Sequence, residues 1–254
     1  MEPTNRAHLW AIPKNRPKKL CLAKGYPYKV PKASYLFRSG KVSDIGEASF
    51  GGRMPILAHG SNRAPEQLAR KFSDGANEVE IPVTYGWLED HDVVYSAHVT
   101  RYGAIASTLR RVEGCRVRVA VTWLTEPQLA RMHVTEGANY PFGRIESVAL
   151  GLEAGPAEKL DTVFAYHSRH GCLSRAGAPI GLAALEAEGR RHPALPQEAV
   201  LALVRDRHHP EDDNLDSHIL KNVDDAKRRA SLIEKLARDA LPNPLMGFHD
   251  RPAG

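Results

Sequence analysis

The sequence has little cysteine and no long run of apolar residues. Its three cysteines, Cys21, Cys115 and Cys172, stand far apart and form no Cys-x-x-Cys pair, so their spacing predicts neither a disulfide framework nor a zinc site. No apolar run approaches the roughly eighteen residues that cross a bilayer, and the first residues lack the apolar core of a secretory signal. These absences predict a protein of the reducing cytoplasm with no membrane partner.

Positive charge is concentrated at the start of the chain. The net charge is +5, yet residues 1–40 contain nine Lys or Arg against one acidic residue, which gives this segment +8 and leaves −3 for the rest. Five prolines in the same segment argue against regular structure, so we expect an irregular strap or a mobile arm. Such an arm could contact nucleic acid or an acidic partner. Its aromatic residues form no base-stacking array, which favours a solubilising extension over a nucleic-acid partner.

Alternating apolar residues predict a β-sheet in the middle of the chain. The clearest pattern is 115–124, where valines alternate with polar residues, so that one face of the strand is core. Residues 79–88 and 92–99 are predicted as two segments joined by a polar turn at 89–91. The predicted strands are 54–58, 79–88, 92–99, 104–109, 115–124, 145–152 and 160–167.

Helix signals flank this sheet and dominate the last third of the chain. Pro65 suits a first helical turn, and Thr125 with Gln128 forms a capping box that starts a short helix ended by Gly137. The predicted helices are 65–72, 125–136, 179–188, 196–205 and 224–241. The combination predicts an α+β fold: a small mixed β-barrel with flanking helices and a helical carboxy-terminal extension. The predicted division is a basic, proline-rich arm (1–50), a barrel domain (51–168) and a helical extension packed on the barrel (169–254).

Two short stretches carry residues suited to chemistry at an amide bond. The stretch Leu57-Ala58-His59-Gly60-Ser61-Asn62 is predicted to be a strand that ends in a tight loop and leads directly into a helix. Such a loop presents backbone N–H groups that can stabilise an oxyanion. Glu136, at the predicted junction of a helix and a loop, can project a carboxylate into a cleft as a general acid and base. These groups suffice for acyl transfer without a metal or cofactor.

The order of four motifs resembles that of the γ-glutamylcyclotransferase-like superfamily, which includes the butirosin-pathway cyclotransferases. The superfamily opens with a strand ending in Tyr-Gly-Ser-Asn, here His59-Gly60-Ser61-Asn62. A small-residue strand follows, here 102–109, and then a strand of glycine and alternating valines, here 114–123. The last motif is a helix with Leu-Asp-x-x-Glu-Gly and a downstream tyrosine, here 132–137 and Tyr140.

The resemblance implies a small mixed barrel that releases 5-oxoproline and an amine from a γ-glutamyl substrate. By position, Glu136 corresponds to the catalytic acid/base. The corresponding substrate-binding positions are His59, Gly60, Ser61, Asn62 and Tyr140. The α-amine of a bound γ-glutamyl amide would attack the γ-carbonyl of the same molecule, so orientation supplies much of the rate.

Structural interpretations of the same residues stay open. Glu136 can be a surface carboxylate that ends a helix, and Tyr140 can pack on the barrel rim. Ser61 and Asn62 can cap the following helix. A nucleophilic role for Ser61 is not indicated, because the Gly-x-Ser-x-Gly elbow is incomplete.

Two positions depart from the superfamily's motifs. His59 replaces the tyrosine of the loop and would add a group that titrates near neutral pH. His133 replaces an aspartate and removes a carboxylate from the helix motif. These departures leave open an alternative function, a catalytically altered or inactive binding protein of this fold that docks a partner. A homodimer is left open as well.

A polar segment at 208–213, with Asp216 and His218 nearby, is rich in histidine and acidic residues. It lacks the His-Glu-x-x-His spacing of zinc enzymes and the central glycine of a calcium loop. The sequence therefore predicts a solvated, proline-containing linker between helices and no metal site. The same segment could also cover the mouth of the pocket.

Overall fold

The computed structural model describes residues 11–72, 79–136 and 139–251, and these ranges contain six α-helices. They are α1 (Arg16–Lys24), α2 (Pro65–Phe72), α3 (Glu126–Glu136), α4 (Gln197–His208), α5 (Leu215–Asp224) and α6 (Ala226–Arg238). None of the helices in these ranges combines the length and the apolar composition that crossing a membrane requires.

Thirteen β-strands occur in the same ranges, and most belong to one sheet. They are β1 (Tyr35–Arg38), β2 (Lys41–Asp44), β3 (Met54–Ala58), β4 (Glu80–Val99), β5 (Ile105–Leu124), β6 (Phe142–Leu152), β7 (Lys159–Tyr166), β8 (Ser174–Arg175), β9 (Ala178–Pro179), β10 (Gly181–Leu182), β11 (Ala187–Glu188), β12 (Ala194–Leu195) and β13 (Phe248–Asp250). Strands β8 and β9 pair separately from the large sheet.

Five strands close a barrel. β3 pairs with β5, β5 with β4, β4 with β6, and β6 with β7, all antiparallel. β7 then pairs with β3 in parallel, through Ile56 opposite Phe164 and Leu57 opposite Ala165, and completes the ring. The fold is therefore α+β, a small mixed β-barrel with flanking helices, as the sequence predicts.

The alternation in β5 fills the barrel interior. Three of its valines, Val117, Val119 and Val121, are fully buried. Between them, Arg118 points away from the core, and its Nη2 donates to Glu153 at 2.6 Å. The predicted strand at 115–124 is thus confirmed, and its two faces differ as the side-chain pattern requires.

β4 and β5 are each twenty residues long, which corrects the prediction of shorter segments joined by turns. Residues 89–91 form no turn; the pairing register shifts between Glu89 and His91, and both strands continue. Asp90 has a φ of 55°, and its carboxylate accepts a hydrogen bond from the N–H of Gly114 at 2.9 Å. This contact bends the two strands together without ending their pairing.

The prediction of irregular structure at the start of the chain is wrong for the part that the structure describes. α1 begins after Asn15, whose side chain accepts a hydrogen bond from the N–H of Lys18 at 3.2 Å, and Pro17 lies in its first turn. β1 pairs with β2 and with the barrel strand β4, and its first three residues are buried. The prolines mark a helix start and loops rather than a lack of structure.

The last third of the chain contains more strand than the sequence predicts. Residues 179–188 form short strands instead of a helix: β10 pairs with β4 and β12, and β11 pairs with β5. α5 was not predicted, and the predicted helix 224–241 corresponds to α6, which ends at Arg238. α4 packs against β5 and α6 against β4, so these helices lie on the two long strands.

Candidate active site

One cavity of about 210 Å³ is lined by residues at the ends of β3, β7 and α3. The predicted site residues that line it are His59, Gly60, Ser61, Asn62, Glu136 and Tyr140. Residues far apart in the sequence therefore meet at one place, as the catalytic hypothesis requires. The wall also contains residues that the sequence analysis did not single out, notably Tyr26, His98 and Ser107.

The loop after β3 turns sharply into a short 3₁₀ helix, Ser61–Arg63, and α2 follows directly. The first N–H groups of such a turn have no acceptor within the helix, so they are available to a ligand. A side chain larger than that of glycine does not fit at position 60, because a Cβ atom there would lie 2.5 Å from the Tyr26 hydroxyl oxygen and 3.0 Å from Ser107 Oγ. The absent side chain lets Tyr26 pack directly on the loop.

Glu136 is the last residue of α3, and its carboxylate is held through one oxygen. Oε1 accepts hydrogen bonds from Lys71 Nζ, in an ion pair, and from Asn62 Nδ2 at 3.3 Å. Oε2 has no hydrogen-bond partner among residues 11–72, 79–136 and 139–251. The side chain is 16% exposed, so solvent or a ligand in the cavity can reach it. Gly137, predicted to end the helix, lies outside the described residues.

Lys71 is a buried cation that the sequence analysis missed. Its Nζ also donates to Asn62 Oδ1 at 2.7 Å and contacts the sulfur of Met132 at 3.2 Å. Burial lowers the pKa of Lys71 below its ordinary value, and the neighbouring Glu136 acts in the opposite direction. A signal was present in the sequence, because Lys71 follows the buried residues Gln67 and Leu68 at helical spacing.

His59 does not titrate near neutral pH, contrary to the expectation from the sequence. Burial lowers its pKa to about 4, so the ring is neutral in the folded protein at pH 7. Both ring nitrogens have protein partners: Nδ1 lies 3.1 Å from Ser107 Oγ, and Nε2 lies 3.2 Å from the Tyr166 carbonyl oxygen. The ring therefore forms part of the cavity wall with no nitrogen left for a substrate.

Tyr140 both lines the cavity and packs in the barrel, so its two sequence interpretations hold together. Its hydroxyl donates to the Ser107 carbonyl at 2.8 Å, and its ring meets the His98 ring edge to face at 5.4 Å between centroids. Burial raises the pKa of Tyr140 well above its usual range, and Glu136 adds to this increase. Tyr102, on another wall, shows the same behaviour. The phenols around Glu136 thus stay protonated.

His133 occupies the position of the motif's aspartate, one turn before Glu136. Its Nδ1 lies 2.8 Å from the Tyr166 hydroxyl, and its ring packs on Phe142 at 4.7 Å between centroids. Burial lowers the pKa of His133. The side chain thus links α3 to the start of β6 and to the end of β7.

The histidine- and acid-rich segment is buried in part, so the prediction of a solvated linker is wrong for two of its residues, His209 and Asp212, and for the nearby His218. His209, Asp212 and His218 lie together, with candidate ligand atoms within 4.8 Å of one another. Asp212 is occupied by protein groups, since Lys221 donates to one oxygen at 2.7 Å and Arg228 to the other at 2.6 Å. Two cations on the only carboxylate of the cluster disfavour a third.

Among solved structures, the chain is similar to a γ-glutamyl cyclotransferase, with 14% identity, a TM-score of 0.37, and coverage of 77% of this chain and 92% of that one. It is also similar to an Arabidopsis thaliana protein of known solution structure, with 15% identity, a TM-score of 0.36, and coverage of 48% and 73%. No protein-family model and no curated protein matches the sequence.

Proposed function

We propose that the protein is a cyclotransferase that cleaves a γ-glutamyl amide and releases 5-oxoproline and an amine. The observation that carries the proposal is the state of Glu136: Oε1 is held by Lys71 and Asn62, and Oε2 is without a protein partner among the described residues. A carboxylate fixed in this way offers one oxygen to a proton of the substrate. It lines the same cavity as the Gly60–Asn62 loop, which offers N–H donors.

In the proposed reaction, Glu136 Oε2 removes a proton from the α-ammonium group of the substrate. The α-nitrogen then attacks the γ-carbonyl carbon, and the carbonyl electrons move onto its oxygen. N–H groups of the Gly60–Asn62 loop stabilise this oxyanion. The carbonyl re-forms, and the bond to the departing nitrogen breaks as Glu136 returns the first proton to it. The cationic ring nitrogen then gives its second proton through Glu136 to the released amine, which leaves as an ammonium ion. One carboxylate serves all of these proton transfers, and the attack is intramolecular.

Charge around the cavity suits a substrate with an α-carboxylate. Arg101 lines the cavity with an exposed side chain, and it forms neither a hydrogen bond nor an ion pair with another described residue. His98 is neutral, because burial lowers its pKa to about 3. In the proposal Arg101 supplies the positive charge for the substrate carboxylate, and the neutral histidine leaves the α-amine free of a competing cation.

The experiment is to measure 5-oxoproline release from a panel of γ-glutamyl amines and γ-glutamyl peptides by mass spectrometry. The wild type should turn over at least one member, and Glu136→Gln should abolish release while the thermal transition stays within a few degrees. Glu126→Gln is the matched control, since Glu126 is an exposed glutamate in the first turn of the same helix. Full activity in Glu136→Gln would remove the assignment. Ligand binding without turnover by the wild type would favour the alternative, a binding protein of this fold.

A further inference from the structure

Tyr26 reaches the cavity from outside the predicted barrel. It follows α1, in the basic segment at the start of the chain, and its side chain is buried and lines the cavity wall. α1 is tied to the carboxy-terminal helices, because Lys24 pairs with Asp216 at 2.6 Å and Lys19 pairs with Asp224. The basic segment is therefore docked on acidic partners within the chain, with a phenol inserted into the site.

The Tyr26 hydroxyl belongs to a hydrogen-bond chain whose directions are fixed by chemistry. The Tyr166 carbonyl can only accept, so His59 Nε2 carries the proton and His59 Nδ1 must accept. Ser107 Oγ donates to Nδ1 at 3.1 Å and therefore accepts from the Tyr26 hydroxyl at 2.7 Å. The same hydroxyl oxygen accepts the backbone N–H of Ser107 at 2.9 Å. Every polar atom in this buried chain is thus satisfied.

The hydrogen-bond chain also sets the position of the Gly60–Asn62 loop, which carries the N–H donors. Tyr26 packs against the Cα atom of Gly60, as close as a missing side chain permits. His59, held through Ser107, is the residue directly before Gly60. Tyr26 therefore contacts the loop at Gly60 and reaches it a second time through Ser107 and His59.

We propose that Tyr26 is a positioning residue of the active site, which acts through Ser107 and His59 to hold the Gly60–Asn62 loop. This inference rests on the proposed cyclotransferase function for its effect on rate, and on the hydrogen-bond chain alone for its effect on His59. Without the hydroxyl, Ser107 loses a donor to Oγ and an acceptor for its N–H in a buried place. The loop then samples other positions, and an oxyanion meets misplaced donors.

The test compares Tyr26→Phe with Tyr28→Phe in the full-length protein. Tyr28 is a matched control, because it is buried on the same segment and its hydroxyl donates to the Leu22 carbonyl at 3.3 Å, away from the cavity. We expect Tyr26→Phe to lower kcat for 5-oxoproline release by about tenfold to a hundredfold, with KM within about twofold, as for a group that acts mainly in the transition state. Tyr28→Phe should retain wild-type kcat.

A spectroscopic measurement tests the hydrogen-bond chain independently of turnover. In ¹⁵N spectra of the imidazoles, the His59 Nδ1 signal should move toward that of a nitrogen without a hydrogen bond, slightly in Tyr26→Phe and further in Ser107→Ala. An unchanged His59 signal together with an unchanged kcat in Tyr26→Phe would overturn the inference. If the wild type shows no γ-glutamyl turnover, the proposed function fails, and the His59 signal alone decides whether Tyr26 holds the loop.

Discussion

Two largely buried carboxylates, Glu136 and Asp212, are both paired with cations and differ in how fully they are occupied. Both oxygens of Asp212 are taken: Oδ1 accepts from Lys221 at 2.7 Å, and Oδ2 accepts from His218 at 2.8 Å and from Arg228 at 2.6 Å. Glu136 uses only Oε1 for protein partners in the described parts of the chain. Asp212 closes a structural network, whereas Glu136 keeps an oxygen for a ligand.

The surroundings of the two acids also differ: cationic side chains enclose Asp212, whereas Glu136 faces a cavity. Burial alone would raise the pKa of Asp212, but hydrogen bonds from Lys221 and His218 and the charge of Arg228 hold it below its ordinary value. This acid ties α5 to α6. Glu136 lines a cavity beside a loop of N–H groups. A buried ion pair by itself is weak evidence of function. Glu136 differs from Asp212 because one of its oxygens accepts no hydrogen bond from the described residues and the side chain lines a cavity.

The largest effect is expected from Asp212→Ala. The substitution leaves Arg228 and His218 without their acceptor in a buried place, which should lower the free energy of unfolding by about 3–5 kcal/mol. Urea denaturation followed by circular dichroism measures this change. Turnover per folded molecule should equal that of the wild type. Loss of turnover in molecules that remain folded would show that the two carboxylates do not divide into a structural and a catalytic one.

As the pH falls, the histidines of the cavity wall should lower the stability of the protein before Asp212 becomes protonated. The pKa of His59 is about 4 in the folded state and 6.5 in the unfolded chain, so only the unfolded chain gains this proton as the pH falls from 6.5 to 4. The stability contributed by neutral His59 is complete above pH 6.5 and falls by about 3 kcal/mol by pH 4. Denaturation curves at pH 7 and pH 4.5 should therefore differ less in His59→Gln than in the wild type. Equal pH dependence in the two proteins would contradict the assignment.

Removing the cation beside Glu136 should affect rate more than stability. Lys71→Met keeps the length of the side chain beside Met132 but leaves Oε1 with Asn62 alone, so we expect kcat to fall about tenfold to a hundredfold. The free energy of unfolding should fall by about 1–2 kcal/mol, less than in Asp212→Ala, because the cavity gives Glu136 access to water. Lys71→Arg should recover part of the rate. A Lys71→Met enzyme with wild-type kcat would show that the pair is structural.

The smallest effect is expected from Asn62→Ala. Asn62 gives Oε1 its weaker hydrogen bond, at 3.3 Å, and Lys71 remains in place to hold the carboxylate. Stability should fall by about 1 kcal/mol, and kcat by about threefold to tenfold. Thermal melts and steady-state kinetics measure the two effects. A larger loss than that of Lys71→Met would reverse the order of the two supports and point to a direct contact of Asn62 with the substrate.

Local signals in the sequence predicted much of the barrel. The strand Met54–Ala58 has the predicted bounds, and a helix begins at Pro65 as predicted. The capping box is confirmed in part, because the N–H of Thr125 donates to Gln128 Oε1 at 3.0 Å. These features depend on residues within a few positions of one another, which the sequence displays directly.

What the sequence did not predict depends on contacts between distant segments. Leu182 and Leu185 follow helical spacing, but Leu182 lies in β10, which pairs with β4 and β12, and Leu185 lies in the bend before β11, which pairs with β5. The cavity contains Tyr26 only because α1 docks on α5. The order of the motifs predicted Glu136 and the Gly60–Asn62 loop as site residues. The pairing of Glu136 with Lys71 depends on the packing of α2 beside α3, which the sequence does not display.

The twenty-residue strands have a consequence for how the chain is made. On the ribosome β4 and β5 emerge as a long hairpin, and the segment that pairs with the outer half of this hairpin is synthesised much later. The Tyr95 N–H donates to the Ile180 carbonyl, and the Tyr95 carbonyl accepts from the Leu173 N–H. During synthesis that edge stays open and apolar. The protein should therefore need chaperone protection until residues near 180 have left the exit tunnel, and nascent chains stalled before that point should be the ones that aggregate.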